Sequence, residues 1–267
     1  MISLLIFGIG LVAGFVDAIA GGGGLIMLPG LLFAGLPVSS AIATNKLCGT
    51  FGALTSALKF AQGKQLDWRI CAWMALPVVM GSYIGSRSID RLPTAWAEPL
   101  VIVLIVAITA FVVLNPSFGM AQTKKTLELT LSGDSEHAQG HNVLLKQLAL
   151  SIFAGAAIGF HDGFFGPGTG IFLVFSLLSI WPMDFLKATG TTKLLNFLAN
   201  VTALITFALS GTIVYSVGIY GAVGVVTGSY LGASFATQKG AKFIRPIFVL
   251  VTTALVIKLV VGYLNPA

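Results

Sequence analysis

Residues 14–30 read GFVDAIAGGGGLIMLPG, and this stretch decides how the chain is organised. Four consecutive glycines, Gly21 to Gly24, hold a regular helix poorly, because each glycine costs about 1 kcal/mol in a helix interior. The apolar run that follows, residues 25–36, is too short for a spanning helix, which needs about 20 residues. We therefore predict a broken helix here, with a half-helix or re-entrant segment after the break.

A second break of the same kind lies in the middle of the chain. Gly166-Pro167-Gly168-Thr169-Gly170 precedes another short apolar run, residues 170–181. The two breaks follow matching Gly-Phe-x-Asp motifs 145 residues apart (162 − 17), and two lysines lie 147 residues apart (193 − 46). Repeated motifs at nearly one offset indicate an internal duplication. We expect a first membrane repeat over 1–115, a polar linker loop over 116–145 and a second membrane repeat over 146–267.

The amino-acid composition indicates whether the chain is surrounded by water or by lipid. Hydrophobic residues make up 56% and charged residues 9%, against roughly 25% charged residues in a soluble domain. The net charge of +6 is spread over short loops, which argues against nucleic-acid binding. We predict an all-helical, multi-pass membrane protein. Its apolar runs are residues 2–19, 25–36, 38–60, 70–88, 98–115, 146–160, 170–181, 188–210, 213–236 and 246–263.

The loop cations predict how the repeats are oriented. If each short run folds back, each half crosses the bilayer three times, and the two repeats are inverted. Ten cations then share one side, which the positive-inside rule makes cytoplasmic in an inner cell membrane. Five crossings per half would divide the cations in the same way. The ten are Lys59, Lys64, Arg69, Lys124, Lys125, Lys146, Lys187, Lys239, Lys242 and Arg245.

Five ionisable residues fall at membrane depth, where such residues are usually functional: Asp17, Lys46, His161, Asp162 and Lys193. One interpretation is that the lysines bind a small oxyanion. Another is that the aspartates neutralise the lysines in buried pairs that fix the packing. A third joins the two, with pairs that open when substrate or a proton arrives. The histidine is either a packed imidazole or part of such coupling.

Polar groups near the lysines complete the candidate binding site. Glycine breaks leave main-chain N–H groups free at the start of a half-helix, where the helix dipole favours an anion. Hydroxyl and amide side chains beside a cation also suit an oxyanion. The predicted substrate-binding residues, besides the lysines, are Gly22, Gly23, Gly24, Thr44, Asn45, Gly168, Thr169, Thr191, Thr192 and Asn196.

The motifs together resemble the sulfite exporter TauE/SafE family. The resemblance rests on residues 14–24, Pro29, Ala43-Thr44-Asn45-Lys46 and residues 159–168, and it extends over nearly the whole chain apart from the linker. It implies a permease for sulfur-containing anions such as sulfite or organosulfonates. Export is the commoner assignment in that family, and coupling to the proton gradient is implied as well. It does not imply one substrate.

Two alternatives come from other classes. A passive anion channel would use the same cavity without coupling. An intramembrane enzyme could use Asp17 and Asp162 as a carboxylate pair, but the nearby lysines would keep both ionised. We therefore expect no catalytic residue, no metal and no cofactor. The expected partners are a small, sulfur-containing anion and membrane lipid. A homodimer is left open.

Overall fold

The computed structural model describes residues 2–89 and 137–239, with side chains from residue 143 onward in the second segment. These residues form helices joined by short turns, with no strand in the described ranges. The helices are α1 (Ile2–Ala20), α2 (Gly24–Phe33), α3 (Val38–Gln62), α4 (Trp68–Ile89), α5 (His137–Phe164), α6 (Thr169–Ile180), α7 (Phe185–Leu209) and α8 (Tyr215–Lys239).

Helix lengths separate spanning helices from short ones. Four described helices are long and apolar enough to cross a bilayer: α1, α7, α8 and the Val143–Phe164 part of α5. In contrast, α2 has 10 residues and α6 has 12, so at 1.5 Å per residue neither crosses the hydrocarbon core. The prediction of an all-helical, multi-pass membrane protein is confirmed. That the short helices are re-entrant stays a prediction.

The two described halves repeat the same order of four helices. Helices α3 and α7 begin at Val38 and Phe185, and α4 and α8 begin at Trp68 and Tyr215, each pair 147 positions apart. The breaks carry a shared backbone feature too. Gly21 and Gly166, each four residues after the aspartate of its motif, both have positive φ, at 75° and 99°. The inverted orientation of the repeats stays a prediction.

Helices of the two halves are interleaved rather than packed side by side. Helix α1 packs along α8, and α5 packs along α4, so each outer pair joins one helix from each half. Helices α3 and α7 contact each other between these pairs. The centre of the described bundle is therefore built by both halves together.

Glycines allow the outer pairs to approach until their backbones touch. A Cβ added to Gly14 of α1 would overlap the carbonyl oxygen of Val225 in α8. On the other side, a Cβ on Gly163 of α5 would overlap the carbonyl oxygen of Ser82 in α4. Small residues every four positions are how membrane helices pack closely without a hydrophobic driving force.

Replacing Gly14 by alanine is expected to lower the free energy of unfolding by about 1–3 kcal/mol, because the methyl group would force α1 away from α8. Gly8 lies on the same helix, and a Cβ added there would meet no atom within 4 Å, so Gly8→Ala is the matched control. Melting temperatures of the detergent-purified variants would test this. Equal melting of Gly14→Ala and Gly8→Ala would contradict the close packing.

Several predictions lie outside the described residues. The structure describes the predicted linker, residues 116–145, only from residue 137. Helix α5 begins there, eight residues before the predicted end of the linker. The apolar runs 98–115 and 246–263 are not described. The same holds for four of the ten loop cations, namely Lys124, Lys125, Lys242 and Arg245.

Candidate functional site

A cavity lies where the two glycine breaks meet the central helices. The cavity has a volume of about 40 Å³. Glycines of both breaks and residues of α1, α2, α3, α5, α7 and α8 form its wall. The lining residues are Ala13, Asp17, Gly21, Gly23, Gly24, Met27, Asn45, Lys46, Cys48, Gly49, Gly52, Asp162, Gly166, Gly168, Gly170, Asn196, Asn200 and Val225.

Four charged side chains form two ion pairs, and each pair crosses from one half to the other. Nζ of Lys46 lies 2.8 Å from Oδ2 of Asp162, and Nζ of Lys193 lies 2.9 Å from Oδ2 of Asp17. The structure therefore brings together the lysines and aspartates predicted from sequence. Each carboxylate has its own lysine, unlike the proton-sharing carboxylate pair of an aspartyl protease.

The two ion pairs have different surroundings. The Asp17 carboxylate also accepts a hydrogen bond from the main-chain N–H of Gly23 at 3.1 Å. The Lys193 ammonium donates to the main-chain carbonyl of Asp17 as well as to its carboxylate. The Lys46 ammonium, in contrast, has no hydrogen-bond partner among the described residues beyond its ion pair with Asp162. One pair is thus tied to main chain and the other is not.

The absence of a side chain at Gly166, in the second break, leaves the space that the Lys46 ammonium occupies. The φ of 99° at Gly166 is a backbone conformation that other residues rarely adopt. A Cβ at this position would lie 2.7 Å from Nζ of Lys46. The sequence analysis placed Gly166 in the second break but not among the binding residues. The signal was present, because a glycine follows each motif aspartate by four residues in both halves.

Three amide side chains line the cavity: Asn45, Asn196 and Asn200. Asn200 donates from Nδ2 to the carbonyl oxygen and to Oδ1 of Asn196, at 2.8 and 2.9 Å, so these two amides act as one unit. Gly49 of α3 stands opposite, and a Cβ there would come within 3.0 Å of Oδ1 of Asn200. The cavity is therefore asymmetric, with amides on α7 facing glycine on α3.

Two of the predicted substrate-binding hydroxyls have other partners. The Thr44 hydroxyl accepts a hydrogen bond from the N–H of Val214, and the Thr191 hydroxyl accepts one from the N–H of Asp67, at 3.1 and 3.0 Å. Both bonds join a central helix of one half to the start of a helix in the other half. Neither threonine lines the cavity.

The remaining predicted residues divide between the wall and the layer behind it. Gly23, Gly24 and Gly168 line the cavity together with the asparagines, whereas Lys193 lies behind Asp17. Four other predicted residues also lie outside the lining set: Gly22, Thr169, Thr192 and His161.

His161 sits in an aromatic setting. Its ring meets the rings of Phe165 and Phe172 edge-on, with centroids 6.0 and 5.5 Å apart, and its Nδ1 lies 3.3 Å from the Thr169 hydroxyl. Its Nε2 has no hydrogen-bond partner within the described part of the chain. These contacts account for its position by packing. Across the described ranges, no cluster of three or more His, Cys, Asp or Glu side chains could hold a metal ion.

Sequence similarity to known proteins extends over nearly the whole chain. A protein of Haemophilus influenzae, named "probable membrane transporter protein", is 34% identical over 256 residues, covering 96% of this chain and 93% of that protein. A Sinorhizobium protein, "probable membrane transporter protein ORF9", is 32% identical, covering 96% and 91%. The Escherichia coli K12 protein "probable membrane transporter protein YfcA" is 29% identical, covering 96% and 88%.

No solved structure matches the chain significantly. The family model described as "Sulfite exporter TauE/SafE" matches residues 6–259, which include both breaks, both ion pairs and all eight described helices in whole or in large part. On that match, and on the full-length relatives, the chain belongs to the sulfite exporter TauE/SafE family.

Proposed function

We propose that this protein is a secondary transporter that exports a small sulfur-containing anion, such as sulfite or an organosulfonate, across the inner cell membrane. The observation that carries the proposal is the central cavity, where two glycine-rich helix breaks from opposite halves meet beside two intramembrane lysines. Irregular backbone at membrane depth is tolerated where it lines such a cavity.

The wall of the cavity supplies donors for an oxyanion. The main chain of Gly23 and Gly24 at the start of α2 and the amides of Asn45 and Asn196 face the same space as Lys46. An anion there would receive main-chain, amide and ammonium hydrogen bonds, of which the charged ones are the strongest. The small volume of the cavity, about 40 Å³, favours a compact anion such as sulfite over a bulky one.

Each lysine is neutralised by an aspartate in the structure. An anion therefore gains a positive partner only when an ion pair opens or its aspartate is protonated. Opening of the pairs by substrate or by a proton would couple occupancy of the cavity to rearrangement of the halves. Since both pairs cross between halves, rocking of inverted repeats around the cavity would make and break these contacts. This movement would expose the anion to each side of the membrane in turn.

Flux of sulfite from proteoliposomes tests the proposal. Wild-type protein should release loaded sulfite in a saturable manner, and Asn196→Leu should slow the release at least tenfold, because losing a hydrogen bond to a charged ligand costs about 1.5–3 kcal/mol. Thr202→Val is the matched control, since Thr202 lies on the same helix outside the cavity and bonds to the Leu198 carbonyl.

Size-exclusion profiles must first show that the variants are folded, with Asn45→Ala as a second cavity variant. Equal flux in wild type, Asn196→Leu and Asn45→Ala would refute the cavity as the binding site. Absence of flux with sulfite, thiosulfate and sulfoacetate would refute a sulfur anion as substrate. Flux that is unsaturable and insensitive to an uncoupler would favour a passive channel.

A further inference from the structure

Water reaches the four central charges unequally. The side chains of Lys46 and Asp162 are each 1% exposed, and that of Lys193 is 0% exposed. The side chain of Asp17 is 17% exposed, and it lines the cavity. Lys46 and Asp162 line the cavity too, but among the four charged side chains Asp17 has by far the largest exposed fraction, so the most accessible charge there is negative.

This arrangement conflicts with binding an anion in the state that the structure describes. Two lysines and two aspartates leave the site neutral, and the exposed carboxylate repels a second negative charge at short range. An anion can enter favourably when this carboxylate loses its charge. A proton on Asp17 does so, and it changes the net charge of the site from zero to plus one.

The contacts of Lys193 let the protein keep its structure after that change. Its ammonium also donates to the main-chain carbonyl of Asp17, so it retains a partner when the carboxylate becomes a neutral carboxyl group. The N–H of Gly23 donates to Asp17 Oδ1, and Gly23 lines the same cavity. Protonation weakens that hydrogen bond, because the acceptor is no longer charged.

The second pair has none of these features. Lys46 is bound to Asp162 alone within the described residues, and water reaches neither side chain. A proton on Asp162 would leave a buried ammonium with no compensating partner, which is costly in a low-dielectric interior. The two ion pairs are therefore related by the repeat but have different surroundings.

The other titratable groups around Asp17 do not replace it. The Cys48 thiol of α3 also lines the cavity, and it donates to the carbonyl of Gly218. Lys193 of α7 is the partner of Asp17, and Asp162 of α5 and Lys46 of α3 share the sealed pair. His161 of α5 is packed between two phenylalanines. Helices α2 and α6 contain no titratable residue, and the tyrosines of α8 are exposed on its outer surface.

We infer that Asp17 is the residue whose protonation admits the anion, while Lys46 and Asp162 both keep their charges. The inference rests on the proposed function of the cavity. The proton comes from solvent and binds to a carboxylate oxygen of Asp17, and a monovalent anion in the cavity then restores neutrality. Proton and anion therefore bind with positive linkage, one proton for each negative charge.

The test compares the affinity of purified protein for sulfite from pH 5 to pH 9 in wild type, Asp17→Asn and Asp162→Asn. Because sulfite's own titration is the same in every sample, the ratio of variant to wild-type affinity isolates the protein group. Asp17→Asn mimics the protonated carboxyl. Its affinity relative to wild type should rise about tenfold per pH unit once the wild-type residue is ionised.

Asp162→Asn should keep the wild-type pH profile. If that variant does not fold, Asp67→Asn is the control, because the Asp67 carboxylate lies outside the cavity and pairs with Lys187 at 3.0 Å. A wild-type profile in Asp17→Asn would overturn the inference while leaving the anion site in place. A flattened profile in the Asp162 variant alone would assign the proton to the other pair. If no protein binds sulfite at any pH, the proposed function fails, and this inference fails with it.

Discussion

Lys46→Ala is expected to lower the free energy of unfolding by about 3–5 kcal/mol, because it leaves the Asp162 carboxylate buried without a partner. For a chain of this size, the corresponding drop in melting temperature is roughly 6–20 °C. Lys193→Ala should cost less, since Asp17 is partly exposed and keeps the hydrogen bond from Gly23. Thermal melts of the detergent-purified proteins, monitored by size exclusion, would measure both effects.

The double variant Lys46→Met/Asp162→Leu separates the loss of a charge from the loss of packing. Removing both partners of a buried ion pair is often neutral or stabilising, so this variant should melt within a few degrees of wild type. Wild-type melting of Lys46→Ala alone would show that the ammonium does not hold a buried charge.

Gly170→Ala is expected to reduce sulfite flux per folded protein at least tenfold, because the two breaks touch each other at this residue. A Cβ on Gly170 would lie 2.6 Å from Cα of Gly21, and a Cβ on Gly21 would lie 2.6 Å from the carbonyl carbon of Gly170. Main chain faces main chain at both positions, so no side chain can move aside. The added methyl group would separate the breaks that form the cavity wall.

Two further glycines distinguish overlap from backbone strain. At Gly21 an added methyl group would overlap the other break and would also be strained by the φ of 75°. Gly21→Ala should therefore reduce flux more than Gly170→Ala. Gly35 has a φ of 86° but open space around it, so Gly35→Ala should lose only the roughly 1–2 kcal/mol of left-handed strain and keep its flux. If Gly170→Ala transported sulfite like Gly35→Ala, contact between the breaks would not matter for transport.

Hydrophobicity and glycine placement predicted most of the helices. The short run 25–36 corresponds to α2 (Gly24–Phe33), and 38–60 corresponds to α3 (Val38–Gln62). The largest difference is at α5, which begins at His137 rather than near residue 146. Its first turns are polar, so an apolar pattern could not detect them.

The pairing of residues could not be predicted in the same way. The sequence offset relates Asp17 to Asp162 and Lys46 to Lys193, but it does not say which lysine each aspartate meets. That depends on α1 packing against α8 and α5 against α4, which is a property of the three-dimensional arrangement. Thr44 similarly has the right chemistry for an oxyanion, yet its hydroxyl is bonded to the main chain of Val214. Residue type alone does not show whether a hydroxyl group binds a ligand or forms a hydrogen bond that joins two helices.

The crossed ion pairs also constrain how the protein is made. Translation delivers Asp17 and Lys46 to the membrane first, while Asp162 and Lys193, their partners in the finished structure, are still unsynthesised. Charged side chains in hydrocarbon are costly until they are paired, so the early helices cannot settle into their final positions on their own. Assembly of the centre must therefore wait for α5 and α7 to leave the ribosome. The two halves, expressed as separate polypeptides, should each depend on the other to escape degradation.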